Sequence, residues 1–227
     1  MIKYHTNIIQ GEDAWFAARC GLLTASEMKL ILTPSKLQYA SNDKERAHVY
    51  ELAAQRITQH VEPHYISDDM LRGRDDELDA KRYYCDNYAE VTDVGFITND
   101  KWGFTIGYSP DGLVGDDLQI EVKGRRQRFQ IETIVKGEVP DEFMIQIQTG
   151  LMVSERAGCE FISFCGGMPM KTIRVESDKR MQDAIEAAAK IFHTKLDSVL
   201  KGYAEILDSP TNRLIPTERR IESEMFI

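Results

Sequence analysis

Tyr108 to Arg128 reads YSPDGLVGDDLQIEVKGRRQR, and the placement of three charged residues within it decides how the chain folds. Asp111 follows Ser109-Pro110 at the start of a turn, and Glu121 and Lys123 lie on the strand after that turn. Side chains alternate across a strand, so Glu121 and Lys123 share one face while Val122 takes the other. The intervening Gly112 to Asp117 is rich in glycine and aspartate, which reverse a chain readily. Folding back brings Asp111 beside Glu121, so that two carboxylates and an ammonium converge on one point.

Hard divalent ions such as Mg²⁺ are held by one or two carboxylates, a backbone carbonyl and waters, and a neighbouring lysine can orient or deprotonate an attacking water. That is the equipment of phosphodiester hydrolysis. Pro110-Asp111 followed by Glu121-x-Lys123 resembles the PD-(D/E)xK signature of the restriction-endonuclease-like nuclease superfamily. The signature is short, and a Glu-x-Lys pair on the wet face of a strand is commonly a cross-strand ion pair, so the rest of the chain must supply the context.

With 227 residues the chain can bury a full core and reads as one domain, 1–227, with a loose tail expected over about 208–227. Its formal net charge of −9 argues against a protein that coats nucleic acid with its whole surface. Locally the balance reverses: Lys123, Arg125, Arg126, Arg128 and Lys136 face only Glu121 and Glu132 in that stretch, as a basic groove or a solvated helix face would. Cys20, Cys85, Cys159 and Cys165 have neither zinc-knuckle nor cluster spacing, and reduced thiols are the expectation. No apolar run is long enough to cross a membrane, and MIKYHTNIIQGEDAW is too polar for a signal peptide, so a cytoplasmic protein is expected.

In chain order, Asp13 to Arg19 reads as a short helix stopped by Gly21. Thr24 and Glu27 match a capping box, predicting a second helix that runs to about Pro34. At its amino terminus, Ser26 and Arg19 could seat a phosphate on free N–H groups, or be an ordinary first-turn serine and an exposed cation. Val49, Leu52, Ala53 and Ile57 predict an amphipathic helix from Ser41 to about His60. A further helix over Ser67–Glu90 would turn Met70, Leu71, Leu78, Tyr84, Cys85 and Tyr88 inward, while Glu77, flanked by Asp75, Asp76 and Asp79, reads on pattern as solvated. Val91 to Tyr108 should form a hairpin across Asn99-Asp100, and with Leu118 to Lys123 a three-stranded antiparallel meander. A helix from Pro140 to about Glu155 carries Gln146, placed to face the site, and Gln148, placed for solvent. EFISFC and KTIRVE follow as strands, and Asp178 to about Leu207 as a striped amphipathic helix. The expected fold class is therefore α/β with a restriction-endonuclease-like core, αβββαβ, its mixed central sheet flanked by helices.

AWFAARCGLLTASEM, LRGRDDELDAKRYY, YSPDGLV, LQIEVKG and FMIQIQTGLM resemble, in the same order, the blocks of the lambda-type phage exonuclease (YqaJ-like viral recombinase) family. The resemblance covers roughly residues 10–155. It implies a Mg²⁺-dependent 5′→3′ exonuclease acting on double-stranded DNA ends, with two ions that Mn²⁺ can replace. Mononucleotides would be released and a 3′ single strand left for annealing recombination. It also implies a homotrimer working beside a single-strand annealing protein, encoded by a phage or prophage and acting in the bacterial cytoplasm.

By position, the resemblance makes Asp111, Glu121 and the Val122 carbonyl metal ligands, Lys123 the group acting on water, and Glu77 a further catalytic acid holding a metal-bound water. Arg19, Ser26, Ser109 and Gln146 fall on positions around the terminal 5′-phosphate, and Met70 on that of the apolar wedge that splits the first base pair. One block departs from the family. Its basic loop reaching into DNA is reduced here to Pro34-Ser35-Lys36. Another PD-(D/E)xK endonuclease or repair nuclease, or a non-catalytic DNA-binding module, stands as the alternative reading.

Overall fold

The computed structural model describes residues 1–62, 68–209 and 211–219, and of residues 68–70 the backbone alone. In chain order its elements are β1 (Ile2–His5), α1 (Asp13–Arg19), β2 (Leu23–Thr24), a 3-10 turn (Met28–Leu30), β3 (Leu32–Thr33), β4 (Gln38–Tyr39), α2 (Asp43–Thr58), α3 (Asp68–Asn87), β5 (Phe96–Asn99), β6 (Ile106–Tyr108), β7 (Gly112–Val114), β8 (Leu118–Gly124), α4 (Gln127–Lys136), α5 (Asp141–Ser154), β9 (Gly158–Phe164), β10 (Lys171–Glu176) and α6 (Lys179–Leu207).

The strands form two mixed sheets, β1-β5-β6-β2 and β10-β9-β8-β7, beside the small β3-β4 hairpin. The expected three-stranded antiparallel meander does not form, because β6 and β8 lie in different sheets. β5 and β6 pair antiparallel in the first sheet, and β7 and β8 pair antiparallel in the second. The chain crosses between sheets at Ser109-Pro110-Asp111, where proline has no N–H to continue a ladder. β8 then pairs parallel with β9, which needs a crossover connection, and α4 and α5 provide it.

Helices cover both faces. Ala80 and Tyr84 of α3 pack with Ile120 and Val122 of β8 and with Ile162 and Phe164 of β9. On the other side, Ile145, Met152 and Val153 of α5 join Ile106 and Tyr108 of β6 and the Ile185–Leu196 stripe of α6. A Cβ at Gly150 would lie 2.7 Å from Tyr108 Cζ and 2.8 Å from Gln119 Nε2, so glycine permits α5 to lie close against both sheets. That approach carries Gln146, one turn earlier, onto the polar face of β8.

Several expectations are corrected. Only half of the capping box is made: Glu27 Oε2 accepts from Thr24 N at 3.2 Å, but Thr24 Oγ1 donates to the same carboxylate at 2.7 Å while the Glu27 N–H goes to the Thr24 carbonyl at 3.0 Å, and no helix to Pro34 follows. Thr24 belongs to β2, paired parallel with Gly107 of β6, and the buried Met28, Ile31 and Leu32 hold the next residues in a three-residue turn and a hairpin strand. Tertiary burial has overridden the local signal. In α3 the small Ala80 and Tyr84 face inward, whereas Leu71, Leu78, Cys85 and Tyr88 are exposed. Ile57 is also more exposed than its helix pattern implied. Gln148, expected in solvent, is fully buried, its amide donating to Glu176 O at 2.7 Å and accepting from Asp178 N at 2.8 Å. The edge strand β1 went unread. All four cysteines are free, and no helix among the described residues is long and apolar enough to cross a membrane. Beyond α6, residues 211–219 are exposed.

Candidate active site

The register of β7 and β8 fixes Asp111. Gly112 pairs with Ile120, so the same register carried on sets Asp111 opposite Glu121 and Pro110 opposite Val122. The Pro110 carbonyl accepts from Gln10 Nε2 at 2.8 Å, and the Val122 N–H instead donates to Asp111 Oδ2 at 2.6 Å. The carboxylate thus replaces the missing rung of the ladder and is held beside the Val122 peptide. The Val122 side chain points the other way, into the core under α3.

Glu121 is 1% exposed. Its Oε1 accepts from Lys123 Nζ and from Gln146 Nε2, both at 2.6 Å, while Oε2 is buried without a hydrogen-bond partner. The Tyr108 hydroxyl is likewise buried with no completed hydrogen bond, and Glu121 is its strongest charged neighbour. Burial and the nearby Asp111 push the Glu121 carboxyl up to about 7 against the pull of Lys123. Burial also raises Asp111, with Lys123 and the Val122 N–H opposing it. Lys123 goes the other way: burial would lower it, but Glu121 and Asp111 hold it up at about 12, so it is an ammonium at neutral pH.

Glu77 belongs to the same electrostatic group. Burial and then the Asp111 charge raise its carboxyl, and Lys81 stands 3.3 Å away, one turn along α3. It is not the solvated glutamate its acidic neighbours suggested. Three carboxylates raised by burial, with the Asp111 charge adding to the rise at Glu77 and Glu121, stand around a fixed ammonium and form an environment that favours a cation.

A second cluster lies just upstream of the Pro110 corner. The Arg19 guanidinium stacks 4.3 Å above the Trp15 ring, donates to Ser109 Oγ at 3.4 Å and donates to Thr24 Oγ1 at 3.2 Å. Thr24 gives its one hydroxyl hydrogen to Glu27, which leaves it only able to accept, from Arg19 and from Ser26 Oγ at 3.3 Å. Ser109 Oγ accepts from both Trp15 Nε1 at 2.9 Å and Arg19, so its own hydrogen is left to donate. No described carboxylate stands within ion-pair distance of Arg19. The cluster offers donors, as an anion requires. The three-residue turn after Glu27 contributes no helix terminus to it, which removes that part of the expected phosphate seat.

Arg19, Ser26 and Ser109 are therefore gathered around Thr24, while the hydrogen bond of Gln146 goes to Glu121. The Met70 side chain lies outside the described residues. Pro34-Ser35-Lys36 forms the tip of the β3-β4 hairpin. Trp15, Lys81, Tyr108 and Gln10 were missed as members of the site. Trp15 and Lys81 were within reach, since each sits four residues from a chosen residue on the same helix face.

Among the described residues no three His, Cys, Asp or Glu side chains close into a preformed metal cage. Mg²⁺ asks for less, keeping several waters and one or two carboxylates. The all-oxygen donors at Asp111 and Glu121, and the unpartnered Glu121 Oε2, fit that demand.

The profile described as YqaJ-like viral recombinase domain matches residues 14–157, which takes in both clusters. Two solved structures of an alkaline exonuclease, LHK-Exo, from Laribacter hongkongensis are similar to the chain. One shows 30% identity and a TM-score of 0.75, and the other, in complex with dAMP, 31% and 0.76. Each match covers 86% of this chain and 97% of the other. A phage-related exonuclease from Haemophilus somnus 129PT shares the fold at 13% identity and a TM-score of 0.58, over 80% of this chain and 96% of its own. No curated protein sequence matches.

Proposed function

Because the chain belongs to the YqaJ-like viral recombinase domain family, we propose that it is a phage-type exonuclease that degrades double-stranded DNA from 5′ ends with Mg²⁺. The observation that carries this reading is the spacing of the two clusters on one stretch of backbone. Ser109 belongs to the anion-binding group and Asp111 to the carboxylate centre. Two residues of chain span at most about 7 Å, on the order of the distance between successive phosphates of a strand. A 5′-phosphate on Arg19 would thus leave the next phosphodiester at the carboxylates, and the product would be a mononucleotide. The dAMP bound by the Laribacter hongkongensis enzyme is a ligand of that class.

Asp111 and Glu121, with the Val122 carbonyl, would hold Mg²⁺, with a second ion toward Glu77; Mn²⁺ could substitute. When bound, the metal supplies Lewis-acid stabilisation of the phosphate and a more acidic water. Lys123, held as an ammonium, orients that water and stabilises charge growing on the phosphate. Gln146 keeps the Glu121 carboxylate turned inward. Arg19 provides two parallel donors to the 5′-phosphate, with the hydroxyl hydrogen of Ser109, and that of Ser26 once it turns from Thr24, filling its remaining acceptors, and so selects the end that is cut. Met70 acts as the wedge at the first base pair. A homotrimer, an annealing partner and a bacterial host cytoplasm complete the reading by family likeness.

Linear and covalently closed circular duplexes incubated with Mg²⁺ test it. Loss of the linear form alone is the expected result; nicking of the circle would instead indicate an endonuclease, and inertness toward both a binding module.

A further inference from the structure

The Thr24–Glu27 pair starts no helix, and its side-chain bonds lead to the anion seat instead. Glu27 Oε2 accepts from the Thr24 hydroxyl at 2.7 Å and from the Thr24 N–H at 3.2 Å. The buried His48 stands behind the same oxygen, its Nε2 3.8 Å away, so a carboxylate with 30% of its side chain exposed is held from two sides. Thr24 is 1% exposed, and its strand is paired with β6. On its other side Thr24 Oγ1 accepts from Arg19 Nη2 at 3.2 Å. Arg19, Thr24 and Glu27 thus form one chain of hydrogen bonds, while the other arm of the guanidinium reaches Ser109 Oγ at 3.4 Å.

The hydrogens along that chain run one way, because a guanidinium only donates and an ionised carboxylate only accepts. In direct contact with Arg19 the carboxylate would occupy the donors that a phosphate needs. One hydroxyl away, it takes the Thr24 hydrogen, strengthens Thr24 as an acceptor and holds a single N–H of the fork. Glu27 is also the charge that opposes the effect of burial at Arg19. We propose that Glu27 is a positioning residue of the anion seat, acting through Thr24 to hold the Arg19 guanidinium in the orientation that meets a 5′-phosphate. The inference rests on the exonuclease reading above and names what orients its cation. A donor already oriented in the folded protein need not be ordered when substrate binds, so the preference for a phosphorylated end is set in part by a residue that does not touch the phosphate.

The test measures kcat/KM on 5′-phosphorylated and 5′-hydroxyl duplexes for the wild type, Glu27→Ala, Glu27→Gln and Glu27→Asp, each also combined with Arg19→Ala. Glutamine keeps an oxygen within reach of Thr24 without the charge, whereas aspartate keeps the charge and is one methylene too short. Glu27→Ala and Glu27→Asp are expected to lower the preference for the phosphorylated end at least about fivefold, and Glu27→Gln to keep most of it. With Arg19→Ala present, none of the three should lower it further. Circular dichroism checks folding, and if Glu27→Ala does not fold, the glutamine and aspartate variants carry the comparison. An unchanged preference in Glu27→Asp, a loss in Glu27→Gln as large as in Glu27→Asp, or a loss that persists in full without Arg19 would overturn the positioning role while leaving the exonuclease reading intact. A wild type that digests both ends equally would overturn the seat and this role with it, and one that digests neither would overturn the exonuclease reading as well.

Discussion

Arg19→Ala removes the cation around which the proposed anion seat is arranged, and its consequence can be worked from the contacts. The guanidinium lies flat on Trp15 at 4.3 Å and is braced by Ser109 Oγ at 3.4 Å and Thr24 Oγ1 at 3.2 Å, so its fork is oriented before any substrate arrives. Burial lowers its pKa, yet an arginine remains charged at any working pH. A charge-assisted hydrogen bond contributes about 1.5–3 kcal/mol net, which is roughly tenfold to 150-fold in kcat/KM. We therefore expect the wild type to prefer a 5′-phosphorylated duplex over its 5′-hydroxyl counterpart by at least about tenfold. Arg19→Ala should lose most of that ratio, chiefly by slowing on the phosphorylated end. Arg19→Lys keeps the charge but not the paired donors, and should fall between. The four-way comparison of two enzymes and two ends isolates the coupling from any general damage. An unchanged preference in Arg19→Ala would refute the assignment of the seat.

Asp111→Ala and Glu121→Ala should each abolish cleavage while duplex ends still bind, and the Mg²⁺-induced rise in Tm expected of the wild type should vanish in both, as differential scanning fluorimetry would show. Met70→Ala should slow digestion of blunt ends more than of frayed ends, because parting a terminal pair costs on the order of a few kcal/mol; equal slowing would reduce Met70 to a packing residue. His193, buried and stacked on Phe104 at 4.4 Å, is lowered to about 4 by burial and the Arg56 charge against the weaker pull of Asp197. Its neutral form is the folded one, so its contribution is complete above about pH 6.5 and is lost as pH falls toward 4, by up to about 3 kcal/mol. Urea unfolding of wild type and His193→Phe across that range should show a smaller loss in the variant.

Asp111, Glu121 and Lys123 could be brought together on paper because strand alternation and one turn are enough to place them, whereas the crossing between sheets at Pro110 was not read. α1, α5, α6 and the hairpin at Asn99-Asp100 were equally plain, each carrying strong caps, periodicity or turn residues. What failed was set by distant contacts. Glu27 made its half of the capping box, accepting from Thr24 N, but pairing with Gly107 kept Thr24 in a sheet. The inward face of α3 was chosen by the closeness of β8, which admits Ala80 and Tyr84 and leaves Leu78 outside. Gln148 looked like a surface glutamine until the end of β10 and the cap of α6 used the two ends of its amide. Gln146, expected around the 5′-phosphate, donates to Glu121, a pairing that depends on how closely Gly150 lets α5 approach.

The account turns on a 5′ end held one nucleotide from a metal-dependent centre, and release of end labels reads that directly. A linear duplex carrying a 5′-phosphate label on one preparation and a 3′ label on another is followed in Mg²⁺ and in EDTA. The account predicts that the 5′ label appears at once as a mononucleotide while the 3′ label stays in a shortening single strand, with neither released in EDTA. Early release of the 3′ label, a 5′ product longer than one nucleotide, or undiminished activity in EDTA would contradict it.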